Sequence, residues 1–207
     1  MDVENIHWYG HDAFRIEDAG RQIYIDPWKL PDGLPKADLV LVTHGHYDHY
    51  SSDDVHKISR PDTVLVGPPD VVREAGGGAV ALSPGQTIEA AGWKVTGVAA
   101  YNIGKKFHPQ ASKGLGFVVT LSDGTIVYHA GDTDFVPEMK SLTVDVALLP
   151  VSGTYVMTAQ EAAEAANTFK PKVAIPMHYG TIVGDRRDAE AFQQAFAGTT
   201  VIKDVER

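Results

Sequence analysis

Three imidazoles and a carboxylate crowd into Thr43-His44-Gly45-His46-Tyr47-Asp48-His49, directly after the apolar run Ala37-Asp38-Leu39-Val40-Leu41-Val42. Imidazole nitrogen and carboxylate oxygen are the donors that bind zinc, manganese, iron or nickel ions. A strand at Leu39 to Val42 would present them on a short, stiff loop at its carboxyl end, with Gly45 permitting a sharp bend. A His-rich surface tract is the bland alternative. Two distant segments of matching chemistry weigh against it: Tyr128-His129-Ala130-Gly131-Asp132-Thr133-Asp134 follows Thr125-Ile126-Val127, and Ile175-Pro176-Met177-His178-Tyr179-Gly180 follows Lys172-Val173-Ala174. Three strand ends thus each deliver a ligand set, which is how an open α/β sheet gathers a site.

Taken together, H-x-H-x-D-H, the later Gly131-Asp132-Thr133 and the late Met177-His178-Tyr179 resemble the metallo-β-lactamase-fold hydrolases. Within that superfamily, Tyr128 to Thr133, Asp145 to Pro150 and Ile175 to Tyr179 look most like the lactonase-like and NAPE-phospholipase-D-like branch. The similarity runs from His11-Asp12-Ala13-Phe14 and Ile25-Asp26-Pro27 to His178. It implies a four-layer αββα sandwich of α/β class, two facing mixed sheets with helices outside, forming one hydrolase domain over residues 1–207.

Carried over by position, the resemblance implies that His44 and His46 bind a first metal, that Asp48, His49 and His178 bind a second, and that Asp132 bridges them. The implied cofactor is two divalent ions, zinc foremost, with manganese, iron or nickel as alternatives. The family's further first-metal histidine falls at Asn102, a much weaker ligand. His108, in Lys105-Lys106-Phe107-His108-Pro109, is the candidate replacement, as ligand or as a substrate-facing residue.

Such a pair of ions lowers the pKa of water to about 7 and polarises the oxygen under attack, so ester, lactone or phosphodiester cleavage needs no side-chain nucleophile. Asp48 and Asp132 are the expected catalytic carboxylates. Cysteine catalysis is excluded, because the chain has no Cys. Candidate substrate contacts are His11, His108, the basic pair Lys105 and Lys106 for a phosphate or carboxylate, and Tyr155 and Tyr179 as hydroxyl donors. His11 can equally touch a metal or brace its loop. His129 reads as a support donating to a ligand or carbonyl, Asp134 as an orienting or turn residue, and His7 and His56 as structural or solvated.

With 207 residues, 43% of them hydrophobic, the chain can bury one substantial core. A formal net charge of −9 argues against nucleic acid or anionic membranes as the main partner. A small-molecule substrate, a cytoplasmic location and possible self-association are the expectations. Strands are expected at Ile6 to Trp8, Ala13 to Glu17, Gln22 to Ile25, Thr63 to Val66, Thr87 to Ala90, Trp93 to Ala99, Gly116 to Leu121, Thr125 to His129, Val144 to Pro150, Val173 to Met177 and Thr200 to Lys203. Helices are expected after Ser51 or Ser52, after Pro68-Pro69, after the capping box Thr158-Ala159-Gln160-Glu161, and at Asp188 to Phe196. The leading functional expectation is a metal-dependent phosphodiesterase or lactonase. A metal-binding protein that keeps the fold without catalysis is the competitor, motivated by Asn102, and redox chemistry at a di-iron site stands third.

Overall fold

The computed structural model describes residues 3–207. Thirteen strands form two mixed sheets. The first takes β1 (Ile6–Trp8), β2 (Phe14–Asp18), β3 (Arg21–Ile25), β4 (Leu39–Leu41), β5 (Val64–Gly67) and β6 (Val80–Ala81) in sequence order. The second runs β13-β12-β11-β10-β9-β8-β7, comprising β7 (Thr87–Ala90), β8 (Trp93–Ala99), β9 (Leu115–Thr120), β10 (Ile126–His129), β11 (Val146–Pro150), β12 (Val173–Met177) and β13 (Thr199–Thr200). Each sheet has an antiparallel side and a parallel side, the parallel strands being β3 to β6 and β10 to β13.

Alternation along the strands separates the layers. Ile23, Ile25, Leu39 and Leu41 join the core that also holds Val95, Phe117 and Val127 of the second sheet. Their neighbours Tyr24 and Val40 point the other way and pack with Ile58 of helix α1 (Ser52–Ile58) and Val71 of helix α2 (Pro69–Ala75). On the second sheet, β11 and β12 are buried at every position, as strands covered on both faces must be. Their outer cover is helix α3 (Ala159–Phe169), whose Ala162, Ala165, Ala166 and Phe169 are buried, with helix α4 (Arg186–Ala195) packed beside it. The Thr158 hydroxyl accepts from the Glu161 backbone, and Glu161 answers at the Thr158 backbone, so the capping box forms as its spacing predicts.

Trp93 and Ser122 tie the sheets together through Asp18 at the end of β2. The Trp93 indole donates to Asp18 Oδ2 at 2.6 Å, and the Ser122 backbone donates to the same oxygen at 2.9 Å. The Arg21 guanidinium lies 4.2 Å from the centre of the Trp93 ring, a cation–π contact across the same seam. Strand β6 and the short 3₁₀ turns at Gln110–Ser112 and Pro137–Ser141 are additions to the elements read from sequence. They are too short to show a period.

Candidate metal centre

Loops leaving both sheets deliver the predicted donors to one place. The loop after β4 carries His44, His46, Asp48 and His49. The turn after β10 carries Asp132, the end of β12 carries His178, and the β1–β2 turn carries His11. Backbone hydrogen bonds fasten these loops to one another: Leu115 N donates to Thr43 O at 3.0 Å, and His178 N donates to His11 O at 3.1 Å. Gly131 is required where it stands. Its φ is +63°, and a Cβ there would lie 2.8 Å from Leu115 O and 3.0 Å from Thr43. Gly45 differs from expectation: it has no positive φ, and a Cβ would meet only Asp70 and Val71 at 3.5 and 3.7 Å, so the bend does not demand glycine.

The Asp132 carboxylate divides the site. Its Oδ1 lies 3.4 Å from His49 Nε2 and 3.3 Å from His178 Nε2, whereas its Oδ2 lies 3.4 Å from His108 Nε2. On the Oδ2 side, His46 Nδ1 lies 3.0 Å from both His44 Nε2 and His108 Nε2. On the Oδ1 side, His11, His49 and His178 bring nitrogens within 4.8 Å of one another, and Asp48 Oδ2 lies 3.2 Å from His11 Nε2.

Outer groups hold most of these rings by their other nitrogen. His49 Nδ1 donates to Asp26 Oδ2 at 2.8 Å, and His178 Nδ1 lies 2.9 Å from the Ser152 hydroxyl. Thr43 donates its hydroxyl to Asp26 at 2.6 Å, leaving its oxygen to accept from His44 Nδ1 at 3.0 Å. His108 Nδ1 faces Tyr155 O at 3.4 Å. This is the arrangement that fixes the orientation of metal-binding imidazoles.

The atoms left facing inward lack partners. His49 Nε2, Asp132 Oδ1 and both ring nitrogens of His11 are buried without a well-formed hydrogen bond, their charged neighbours standing at 3.2 to 3.4 Å. His46 Nδ1 has at most one hydrogen to share between two neighbouring nitrogens. Divalent cations on either side of Asp132 would satisfy His49 Nε2, Asp132 Oδ1 and one ring nitrogen of His11, so the residues present fit the implied pair of ions.

Burial and charge set the protonation states. Burial pushes the His44, His11 and His108 imidazoles below their ordinary value, which keeps them neutral and able to donate lone pairs. Burial also opposes a charge on His49, but Asp132 and Asp26 outweigh it and hold His49 well above the ordinary value. Burial would raise Asp132, yet His178 and His49 keep it well below the ordinary carboxylate range.

Several expected roles change with the structure. Asn102 does not enter the centre: its amide donates to Phe107 O at 3.1 Å and Tyr155 O at 2.5 Å, bracing the loop that carries His108. Lys105 lines neither opening of the centre, its ammonium being bound to the Asp134 carboxylate and donating to Val156 O at 2.6 Å. Tyr179 is buried against Trp8, with ring centres 4.9 Å apart and the hydroxyl pushed up to about 12 by burial, and does not line the cleft. Tyr155 does line it, and Lys106 lines the recess on the His44 side.

His129 supports as expected, with Nε2 donating to Asp12 O at 3.0 Å. His7 pairs with Glu206 at 2.8 Å, and His56 is exposed on α1. Sequence reasoning missed Asp26 and Asp12. Asp12 is fully buried without a hydrogen bond to its carboxyl, 3.8 Å from His49 Nδ1. Their adjacency to His11 and to the end of β3 was the available signal.

A family model described as the beta-lactamase superfamily domain matches residues 5–178. With the paired mixed sheets and the donor cluster at their loop ends, this makes the chain a member of the metallo-β-lactamase superfamily. A UPF0173 metal-dependent hydrolase of Thermoplasma acidophilum is 34% identical, with 100% of this chain and 98% of the relative covered. One from Methanopyrus kandleri is 38% identical over 91% of this chain and 90% of its own. Among solved structures, Igni18, a metallo hydrolase of Ignicoccus hospitalis, superposes with a TM-score of 0.78 at 25% identity, covering 98% of this chain and 95% of its own. The chain therefore belongs to the UPF0173 metal-dependent hydrolase family.

Proposed function

We propose that this protein hydrolyses an ester-like bond in a small molecule with two divalent cations, zinc foremost. The observation that carries the reading is the division of Asp132, one oxygen toward His49 and His178 and the other toward His108. His44, His46 and His108 would hold one ion; His11, Asp48, His49 and His178 would hold the other; Asp132 would serve both. Bound there, the ions supply Lewis acidity, lowering the pKa of water to about 7 and polarising the oxygen of the scissile bond.

The chain's own groups do the positioning. Burial would raise the Asp48 carboxyl, but the His11 contact and the nearby His49 outweigh it, so Asp48 is a carboxylate at neutral pH. Lining the cleft, it accepts a hydrogen bond from the attacking water and fixes a lone pair toward the substrate. Tyr155 lines the same cleft, which supports reading its hydroxyl as a donor to a developing oxyanion. The noncatalytic alternative rested on Asn102, and the closeness of His108 to His44 and His46 supports the catalytic reading over it.

The test joins metal analysis of protein purified without chelator to turnover of p-nitrophenyl acetate, a γ-lactone and bis(p-nitrophenyl) phosphate, before and after Asp132→Ala. Close to two ions per chain and turnover abolished by the substitution are expected. Full turnover in metal-free protein or in Asp132→Ala would refute the reading.

A further inference from the structure

Only a few large apolar side chains stand exposed among the described residues, and four of them share one cleft: Tyr47 at 69%, Tyr155 at 45%, Ile182 at 41% and Phe107 at 37%. Scattered exposed apolar residues are ordinary, but a cluster of them marks a binding surface. This cleft, about 270 Å³, also contains Asp48, Asp132 and His178. Its walls are set by ring contacts. Phe107 and Tyr155 meet edge to face at 5.1 Å, and Tyr47 meets buried Trp28 edge to face at 6.1 Å. Tyr155 holds a φ of 67°, a left-handed conformation unusual for a tyrosine, and its carbonyl is gripped by Asn102.

Charge in the cleft points the same way. No lysine or arginine is among its lining residues. Lys105 is spent on Asp134, and Lys106 opens onto the adjoining recess, where Asp70 also stands. The fixed negative charge of a phosphodiester would be met there by the ions alone, without the arginine or lysine that commonly shares it. An uncharged ester brings none.

We propose, resting on the hydrolase reading above, that the substrate is an uncharged carboxylic ester or lactone with an apolar alkyl or aryl group, seated between Tyr47, Phe107, Tyr155 and Ile182. Water oxygen bonds to the carbonyl carbon, the bond from that carbon to the leaving oxygen breaks, and the leaving oxygen takes a proton. Acid and alcohol result without oxidant or reductant.

Metal-loaded protein is tested in two ways: kcat/KM on p-nitrophenyl esters from acetate to octanoate, with bis(p-nitrophenyl) phosphate for comparison, and calorimetric binding of the alkanoates from acetate to octanoate. Both kcat/KM and alkanoate affinity should rise about two- to fourfold per added methylene until the cleft is filled. Ile182→Asn and Tyr47→Asn should flatten both slopes, whereas Val80→Asn, which replaces an exposed apolar residue outside the cleft, should leave them steep. Ester turnover with flat slopes overturns this inference and leaves the hydrolase reading standing. Faster turnover of the phosphodiester than of any ester also overturns it. Steep alkanoate binding with no ester turned over overturns the inference, and sinks the hydrolase reading as well only if the phosphodiester is also left intact.

Discussion

At the scale of single residues, the centre depends as much on groups behind the donors as on the donors. His108→Ala should lower metal content from about two ions per chain to about one, measured by elemental analysis, because the His44 side loses one of its three imidazoles. Asp26→Asn removes the carboxylate that orients His49 and accepts from Thr43. It should weaken metal binding about 10- to 100-fold by chelator competition, although Asp26 lies behind the ligands. That His44, His46, Asp48, His49, Asp132 and His178 gather in one place was legible because their side-chain types declare themselves at strand ends. His108 was half legible, since which of Asn102 and His108 faces inward depends on how the intervening loop closes. Asn102 N donates to His108 O at 2.7 Å, a contact no spacing announces. Asp12 and Asp26 were missed for a related reason: adjacency to His11 and to the end of β3 hinted at them, but the groups they face, His49 for both and Thr43 for Asp26, arrive from another loop.

At the scale of elements, strands and helices were largely readable, because period-two burial and cap residues are local signals. β8 falls where its apolar alternation puts it, β12 where its unbroken apolar run does, and Ser51 and Thr158 cap their helices. The path of the loop between β8 and β9 was not readable, because it is held by distant groups. Asp134 accepts from Ile103 N at 2.8 Å and binds the Lys105 ammonium. Lys105→Met should therefore loosen the loop and lower occupancy on the His108 side while the His49 side stays filled, a difference that stepwise metal titration would resolve. Thr158→Ala, which breaks the cap of α3, should cost about 1 kcal/mol in urea unfolding without changing metal content.

At the scale of the whole molecule, Asp18 joins the two sheets and makes their union sensitive to pH. Burial pushes its carboxyl up, but donors from Ser122 and Trp93 outweigh this and set it below the ordinary 3.8. A depressed value in the folded state gives stabilisation that is fully present above 3.8 and lost as pH falls through the folded value. Asp18→Asn should thus cost about 2 kcal/mol at pH 7 by urea unfolding, with the gap from the parent shrinking as the pH falls below 3.8. No helix among the described residues is long and apolar enough to cross a membrane. His11, Asp26, His108 and His178 all sit at positive φ, between 48° and 60°, where a side chain costs about 1–2 kcal/mol that glycine does not. The backbone at the site is therefore held under tension, and what holds it is the packing and bonding around these same side chains, Asp26 gripping Thr43 and His49 among them.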